Sequence, residues 1–330
     1  LHLLSRRQRQ MCIRDRPIVM KTNISLILIL CLLLGACKNG NASSQNKSET
    51  PQDTIKAIKM PAIPQMMTAP EQRADFLAKH YWDNVNFADT NYIHHPEVTE
   101  QAWADYCDLL NHVPLETAQQ AMRNVIDRTN VDKKVFTYIT DLADKYLYDP
   151  NSPMRNEEFY IPVLEAMIAS PVLNETEKIR PQARLKLAQK NRIGTKALNF
   201  TYTLASGAQG SLYQLKAEYL LLFINNPGCQ ACTETIEGLK NAPIINQLLQ
   251  EKKLVLLSIY PDEELDEWKK HLSEFPNEWI NGYDKKFTIK EEQVYDLKAI
   301  PTLYLLDKDK TVLLKDATAP AIEAYLMQHQ

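Results

Sequence analysis

The sequence predicts a two-domain protein of the α + α/β class, with an all-α helical bundle first and an α/β domain with a mixed central sheet second. The chain has 330 residues, enough for about two domains of ordinary size. None of its 8 glycines lies between Asn41 and Ile193, whereas most of them follow this stretch. The first half therefore has few turns that need a positive φ, which favours helices. Near Phe200 the apolar spacing changes from a helical period to strand-like runs.

Residues 1–69 are predicted to precede the folded part of the chain. Residues 1–19 are rich in arginine and lack apolar periodicity, and the run from Arg6 to Arg16 resembles a translated sequencing adapter. We therefore place the native start at Met20; a basic leader continuous with the next segment is the alternative. Residues 20–36 have the pattern of a secretory signal, in which Lys21 precedes an apolar stretch too short to span a bilayer comfortably.

The signal segment ends in a motif that resembles the lipobox of bacterial lipoproteins. In Leu34–Cys37, small residues before the cleavage point let a peptidase reach the backbone, and the Cys37 thiol accepts a diacylglycerol. Lys38 follows where an inner-membrane retention signal has aspartate, so we expect a lipid anchor in the outer membrane, facing the periplasm. An ordinary cleaved signal with an incidental cysteine is the alternative. Residues 37–69 are polar and rich in proline, which predicts a disordered tether.

Residues 70–190 are predicted to form an all-α domain of short helices. Apolar residues recur there at three- and four-residue spacing, which places them on one face of each helix. Asn156 or Glu157 begins one predicted helix, and Asn174 caps another that reaches Asn191. The other predicted faces contain Trp103, Tyr106, Leu110 and Val113; Leu115, Ala118, Met122 and Val125; and Val135, Ile139, Leu142 and Tyr146.

Residues 191–330 are predicted to form an α/β domain. Buried strands appear as continuous apolar runs, and helical segments fall between them, so both faces of the sheet are expected to be covered. Strands are predicted over Phe200–Leu204, Tyr219–Asn225, Leu254–Tyr260, Thr302–Leu306 and Thr311–Leu314. Helices are predicted over Gln230–Gln250, Glu263–Ser273, Thr288–Tyr295 and Ala319–Met327.

A Cys-Gln-Ala-Cys motif at residues 229–232 is the sharpest chemical feature of the sequence. It follows a buried strand through a short turn and begins a helix. The free N–H groups and the dipole at the helix start stabilise a thiolate, so we expect a moderately lowered pKa for Cys229. Cys232, one helical turn later, can resolve a mixed disulfide and is expected to be the hidden thiol. Cys107 falls on a predicted helix, where we expect it to be buried as a small hydrophobic residue.

The order of elements around this motif resembles the thioredoxin fold, and most closely the TlpA/ResA-like branch of membrane-tethered thiol-disulfide oxidoreductases. The resemblance covers roughly residues 191–330 and is carried by Phe200–Leu204, by Leu220–Asn225 before the cysteines, and by Ile300–Asp307. It implies a cis-proline loop that packs over the cysteine pair and offers backbone groups to an incoming substrate chain. Ile300 and Pro301 would form this substrate-binding surface, to which we also assign Gly228.

The sequence departs from that family at three places. Gly228 stands where the family usually has an aromatic residue before the first cysteine, and Phe223 stands where thioredoxin has a buried aspartate. The family's acidic residue three places after the second cysteine is Thr235 here, with Glu234 one place earlier. Glu234 is therefore the candidate proton acceptor for Cys232; a solvated carboxylate on the helix surface is the alternative.

The helical domain resembles an uncharacterised module that precedes thioredoxin-like domains in bacterial lipoproteins. Residues 145–158 and 190–194 carry the resemblance, which implies an architecture and no activity. The polar run 149–158 is either a recognition loop or a capped turn between helices.

These observations predict a lipid-anchored periplasmic thiol-disulfide oxidoreductase that acts on protein thiols or disulfides of the cell envelope. We expect a monomer that touches the membrane through lipidated Cys37 and needs no cofactor and no metal. A formal net charge of -3 gives no reason to expect a nucleic acid partner. The alternative is a redox-inactive binding or assembly lipoprotein whose helical domain engages a partner. Copper or zinc capture by Cys229 and Cys232 is a further alternative, weakened because two ligands rarely suffice.

Overall fold

A computed structural model of the chain describes residues 57–329. The predicted leader, the signal segment and the lipid-anchor residue Cys37 lie outside the described residues, as does the tether up to residue 56. In the described part, the α-helices are α1 Pro70–His80, α2 Pro96–Leu110, α3 Leu115–Arg128, α4 Lys133–Ala143, α5 Glu157–Ala169, α6 Glu175–Ala188, α7 Gln230–Lys240, α8 Pro243–Gln250, α9 Leu265–Lys270 and α10 Ala319–Gln328. The strands are β1 Thr201–Leu204, β2 Gln209–Ser211, β3 Tyr219–Ile224, β4 Leu254–Tyr260, β5 Ile280–Tyr283, β6 Thr302–Asp307 and β7 Val312–Lys315.

Helices α1 to α6 form the predicted helical domain around one apolar core. Most residues of the predicted faces are buried, and Trp103, Tyr106 and Met122 are almost fully inaccessible, but Leu115 at the start of α3 is 47% exposed. The helix starts at Asn156 and Asn174 are also as predicted. Asn174 makes a reciprocal capping box with Glu177.

Pro162 lies inside α5, where it removes one hydrogen bond of the helix. The carbonyl that loses its partner belongs to Glu158, four residues earlier. Gln119 of α3 donates its side-chain amide to that carbonyl at 3.0 Å. A neighbouring helix thus satisfies the group that proline leaves open, and α5 continues to Ala169.

Residues 57–69 were expected to belong to the disordered tether, but the structure places them along the helical domain. Ile58 packs against the apolar core, and the Lys59 carbonyl accepts a hydrogen bond from Asn84 at 2.9 Å. Arg73 donates to the Met67 carbonyl at 3.2 Å. The prediction of disorder was wrong for these residues because it weighed composition alone, whereas Ile58 buries apolar surface against the bundle.

The α/β domain contains the predicted mixed sheet, with the strand order β2-β1-β5-β4-β3-β6-β7. The central strand β3 pairs in parallel with β4 and antiparallel with β6. Alternate β3 residues face two separate apolar cores: Leu221 and Phe223 face one, and Leu220, Leu222 and Ile224 face the other. Burial on both faces explains why this strand appears in the sequence as an uninterrupted apolar run.

Two predicted helices of this domain differ from the structure. The helix predicted over Gln230–Gln250 is divided into α7 and α8, because Pro243 lacks an N–H group and begins a new helix. The helix predicted over Thr288–Tyr295 is wrong, and turns occupy this segment. Buried Asp284 accepts hydrogen bonds there from the backbone N–H groups of Lys286 and Ile289, which fixes a turn instead of a helix start. Short strands β2 and β5 and helix α1 were not predicted.

The connection between the two domains is part of the sheet edge. Gly194 donates a backbone hydrogen bond to Val312 of β7, and Ala197 donates one to Lys310, two residues before β7, each at 2.8 Å; Thr195 accepts one from Val312. Residues 194–197 therefore cover the outer edge of β7, which would otherwise be free to pair with another chain. None of the helices within residues 57–329 has the length and apolar composition that crossing a bilayer requires.

Candidate active site

The two cysteines lie at the carboxyl end of the central strand β3. The chain leaves β3 after Ile224, turns through residues 225–228 and enters α7, whose N-cap is Cys229. In the same sheet, Ile224 is paired with Thr302, the first residue of β6. This register brings the residues just before β6, Ile300 and Pro301, beside the cysteines. The Ile300–Pro301 peptide bond is cis.

The Cys229 sulfur lies between the helix start and the cis-proline loop. It accepts a hydrogen bond from the backbone N–H of Cys232 at 3.3 Å, as an N-cap side chain does. On its other side, it contacts the carbonyl oxygen of Ile300 at 3.7 Å as a weak donor. Cys229 is half-buried, so an incoming molecule can reach it. The structure therefore brings together the predicted residues Cys229, Cys232 and Ile300.

Cys232 is the hidden member of the pair, as the sequence predicts. It is buried, and both cysteines are free thiols. Burial and, to a smaller extent, the hydrogen bond with the Cys229 thiol together raise the pKa of the Cys232 thiol to about 12, against a backbone hydrogen bond from Asn226 that lowers it. Cys232 is therefore protonated at neutral pH, and Cys229 is the thiol exposed to a partner.

Glu234 does not join this pair. Its side chain is exposed on α7 and accepts a hydrogen bond from Gln230 at 2.9 Å. Cys232 is two positions earlier, and residues two apart on a helix do not face each other. Glu234 therefore has the surroundings of a solvated carboxylate on the helix surface, which was the alternative to a proton acceptor.

Two asparagines in the turn before Cys229 hold the active-site loop, and the sequence reasoning missed them. Asn225 is buried and donates to the Ser258 hydroxyl at 2.8 Å. Asn226 donates to Asp262 at 2.7 Å, and Asp262 also accepts from Lys290 at 2.6 Å. The sequence did contain a signal for them: two amide side chains follow a buried apolar strand, at a turn whose polar groups need hydrogen-bond partners.

Gly228 has a positive φ of 69° directly before Cys229, and a β-carbon there would meet no atom within 4 Å. The need for glycine is therefore conformational. We expect Gly228→Ala to lower the free energy of unfolding by about 1 kcal/mol. Gly238, inside α7, is the matched control because its β-carbon would touch only Ala319 at 3.8 Å. Gly238→Ala should raise the free energy of unfolding by roughly 0.5–1 kcal/mol. Urea unfolding of both variants measures these changes, and a shift of the same sign in both would contradict the interpretation.

Two other candidates from the sequence are Cys107 and metal capture by the cysteine pair. Cys107 is buried in α2, where burial raises the pKa of its thiol to about 12. Within residues 57–329, no three side chains of His, Cys, Asp or Glu come together as a metal-binding group. Among the described residues, Cys229 and Cys232 are therefore not joined by a third ligand of these types, whereas structural zinc sites have four ligands.

A mixed sheet with a Cys-x-x-Cys pair at the start of the helix after its central strand, facing a cis-proline loop, defines a thioredoxin-like protein. Comparisons with known proteins agree. A family model described as thioredoxin-like matches residues 217–312, and a model described as a domain of unknown function (DUF5106) matches residues 36–191. A crystal structure of a thioredoxin-like protein from Bacteroides caccae is 84% identical, with a TM-score of 0.82. The match covers 84% of this chain and 100% of that chain. The chain therefore belongs to the thioredoxin-like proteins.

A second solved structure is similar to part of the chain. It is the C-terminal domain of an uncharacterized protein from Bacteroides fragilis, at 69% identity and a TM-score of 0.41. The match covers 42% of this chain and 98% of that domain. No curated protein matches the chain.

Proposed function

We propose that the protein is a thiol-disulfide oxidoreductase that exchanges disulfides with protein substrates through Cys229 and Cys232. One observation carries the proposal: an accessible Cys229 sulfur at a helix N-cap lies against the Ile300 carbonyl and next to a buried second thiol. Each of the two thiols has the surroundings that its step of the exchange needs. Membership in the thioredoxin-like proteins supports the same reaction class.

The exchange proceeds in two balanced steps. Cys229, deprotonated, attacks one sulfur of a substrate disulfide; a Cys229–substrate disulfide forms, the substrate disulfide breaks, and one substrate sulfur leaves and takes up a proton. Cys232 then loses its proton and attacks the Cys229 sulfur. The Cys229–Cys232 disulfide forms and the second substrate sulfur leaves as a thiol. The protein dithiol gives up two electrons and two protons to the substrate, and the reverse sequence oxidises a substrate dithiol.

The site residues around the cysteines have positioning roles in this proposal. The N–H of Cys232 stabilises negative charge on the Cys229 sulfur before the first attack, because it already donates to that atom. Ile300 and Pro301 offer backbone groups to the substrate chain beside the reacting sulfur. Gly228 allows the turn that presents Cys229, and its lack of a side chain leaves room for the substrate.

Two further parts of the proposal are the branch of the family and the cellular location of the protein. We assign the protein to the TlpA/ResA-like branch and to the periplasmic face of the outer membrane, anchored through lipidated Cys37. The motif Leu34–Cys37 and the absence of an aspartate after it support this location. Labelling with a radioactive fatty acid, compared with the Cys37→Ser variant, tests the anchor.

Insulin reduction in the presence of dithiothreitol tests the reaction. We expect the full chain to accelerate insulin precipitation, and Cys229→Ser to lose this acceleration, because no accessible sulfur is left at the site. Cys107→Ala is the matched control, since that buried thiol lies in the other domain. Equal rates for the wild-type chain and Cys229→Ser would overturn the proposal and favour a redox-inactive binding or assembly lipoprotein.

A further inference from the structure

The loop that leads into the cis-proline is held by the helical domain. Residues 284–299, here called the 284–299 loop, connect β5 to Ile300 without a helix or strand of their own. A segment of this kind needs contacts from elsewhere to keep one conformation. Two sets of contacts from the helical domain meet it.

The first set is a buried ion-pair cluster around Lys298, two residues before Ile300. The Lys298 ammonium group pairs with Glu157 at the start of α5 and with Asp296 at 3.0 Å. Glu157 also pairs with Lys315 of β7. The side chains of Lys298 and Lys315 are 7% exposed and that of Glu157 is 11% exposed, so solvent screens these pairs little.

Aromatic packing completes the surroundings of Lys298. Its ammonium nitrogen lies 4.7 Å from the ring centre of Tyr148, which belongs to the helical domain. Nearby, Arg155 of the helical domain donates to the backbone carbonyl of Asp316 at 2.8 Å. The cation of the 284–299 loop is therefore enclosed mainly by groups from the helical domain.

The second set of contacts comes from the end of the helical domain. Lys190 donates to the carbonyl of Gln293 at 2.6 Å, and the Asn191 amide donates to the carbonyl of Val294 at 2.7 Å. Asn191 also accepts a hydrogen bond from the backbone N–H of Leu198 at 2.7 Å. The 284–299 loop is thus held at two points: at residues 293–294 by Lys190 and Asn191 on the boundary between the domains, and at residue 298 by the helical domain.

A buried charge constrains position more strictly than an apolar contact. Moving Lys298 away from Glu157 would leave charges without partners in a poorly solvated place, which is strongly unfavourable. Lys298 is two residues from Ile300, whose carbonyl contacts the Cys229 sulfur. A shift of Lys298 is therefore passed on to the backbone that borders the reacting sulfur.

We propose that the helical domain is a working part of the disulfide-exchange site: Glu157, through Lys298, positions the Ile300–Pro301 backbone that receives the substrate chain. This inference rests on the proposed oxidoreductase function. Glu157 is a positioning residue, since it acts through Lys298 and touches no reacting atom. The domain's role then extends beyond stability to the affinity for protein substrates.

The test compares Glu157→Gln with Glu158→Gln in the full chain. Glu158 is the matched control because it is also poorly exposed, on the same turn of α5, but pairs with Arg192 and not with the 284–299 loop. Two substrates are used: insulin, which needs the cis-proline backbone, and the small disulfide 5,5′-dithiobis(2-nitrobenzoate), which needs only the Cys229 sulfur. For Glu157→Gln we expect kcat/KM for insulin to fall about tenfold, mainly through KM, and the rate with the small disulfide to stay within about twofold. Glu158→Gln should match the wild-type chain with both.

The outcomes separate the positioning role from the alternatives. Unchanged insulin kinetics in Glu157→Gln, or an equal fall with both substrates, would overturn the inference. Lys298→Gln, which leaves Glu157 paired with Lys315, is the second variant if Glu157→Gln does not fold; it should show the same split between substrates. If the wild-type chain reacts with the small disulfide but not with insulin, the proposed function fails instead. Amide hydrogen exchange then tests the positioning role. Residues 294–300 should exchange faster in Glu157→Gln and in Lys298→Gln than in the wild-type chain. Equal exchange in the variants and the wild-type chain overturns the inference.

Discussion

Replacing Cys232 by serine is expected to turn the protein into a covalent trap for its substrates. In Cys232→Ser, the half-buried Cys229 still attacks a substrate disulfide, but no second thiol is present to release the product. The attack by Cys232 is intramolecular and therefore far faster than attack by a dilute external thiol. Its loss should lengthen the life of the Cys229–substrate disulfide by about a thousandfold or more. Adducts from envelope extracts should appear on non-reducing gels and disappear after reduction.

The controls for this trap use the other thiols of the chain. In the processed protein, Cys229→Ser combined with Cys232→Ser should give no adduct. Cys12 and Cys31 lie in the segment expected to be removed, Cys37 is expected to carry lipid, and burial raises the pKa of the Cys107 thiol to about 12. Adducts that persist in this double variant would show that another cysteine reacts. If Cys232→Ser forms no adduct while the wild-type chain reduces insulin, the order of attack assigned to the two cysteines is wrong. Mass spectrometry of the adducts identifies the substrates and shows whether the protein reduces or oxidises them.

The largest loss of stability is expected from Trp103→Ala in the helical domain. Trp103 is fully buried and packs against Trp82 and Tyr106, with ring centres 6.1 and 6.2 Å away. Truncation removes this apolar burial and leaves a cavity that rigid neighbouring helices cannot close, so the free energy of unfolding should fall by about 3–5 kcal/mol. Guanidinium unfolding followed by circular dichroism measures the change.

Val131→Ala is the control for this loss, because Val131 is 66% exposed and its replacement should change stability by less than about 0.5 kcal/mol. A loss below about 1 kcal/mol in Trp103→Ala would mean that the bundle repacks around the missing ring.

The unfolding curve also reports on the link between the domains. Buried pairs such as Glu157 with Lys298 favour unfolding of both domains in one transition.

The sequence predicted best those elements whose signal is local. Strand β4 has the predicted bounds Leu254–Tyr260, and β3 ends one residue earlier than predicted, because runs of apolar β-formers buried on both faces leave little ambiguity. The starts of α5 and α6 follow from Asn156 and Asn174, whose side chains cap the first turn. The position of Cys229 follows from the same local logic, since it comes between a strand and a helix.

The failures have a common cause in distant contacts. The segment Thr288–Tyr295 has helical spacing, but Asp284 and the burial of Ile289 and Tyr295 hold it in turns. Glu234 is the exception, because its position two residues after Cys232 on the predicted helix already places the two side chains on different faces. The ion pair between Glu157 and Lys298 joins residues 141 positions apart, so no local sequence pattern could predict it. The sequence therefore predicted the two cysteines and the neighbouring Gly228, Ile300 and Pro301, but not the residues that hold them in place.

Residues 194–197 pair through backbone hydrogen bonds with the start of β7 and the residues before it. The segment between the domains is therefore not a free hinge. Backbone hydrogen bonds to Val312 and Lys310 fix residues 194–197 on the α/β domain, and swinging the helical domain away would break the buried pair of Glu157 with Lys298. In the proposed function, a substrate protein therefore meets two domains held in one arrangement, and we expect its own shape and flexibility to decide whether it reacts. Loosely folded chains, which can bend to reach the sulfur, have the advantage over compact ones.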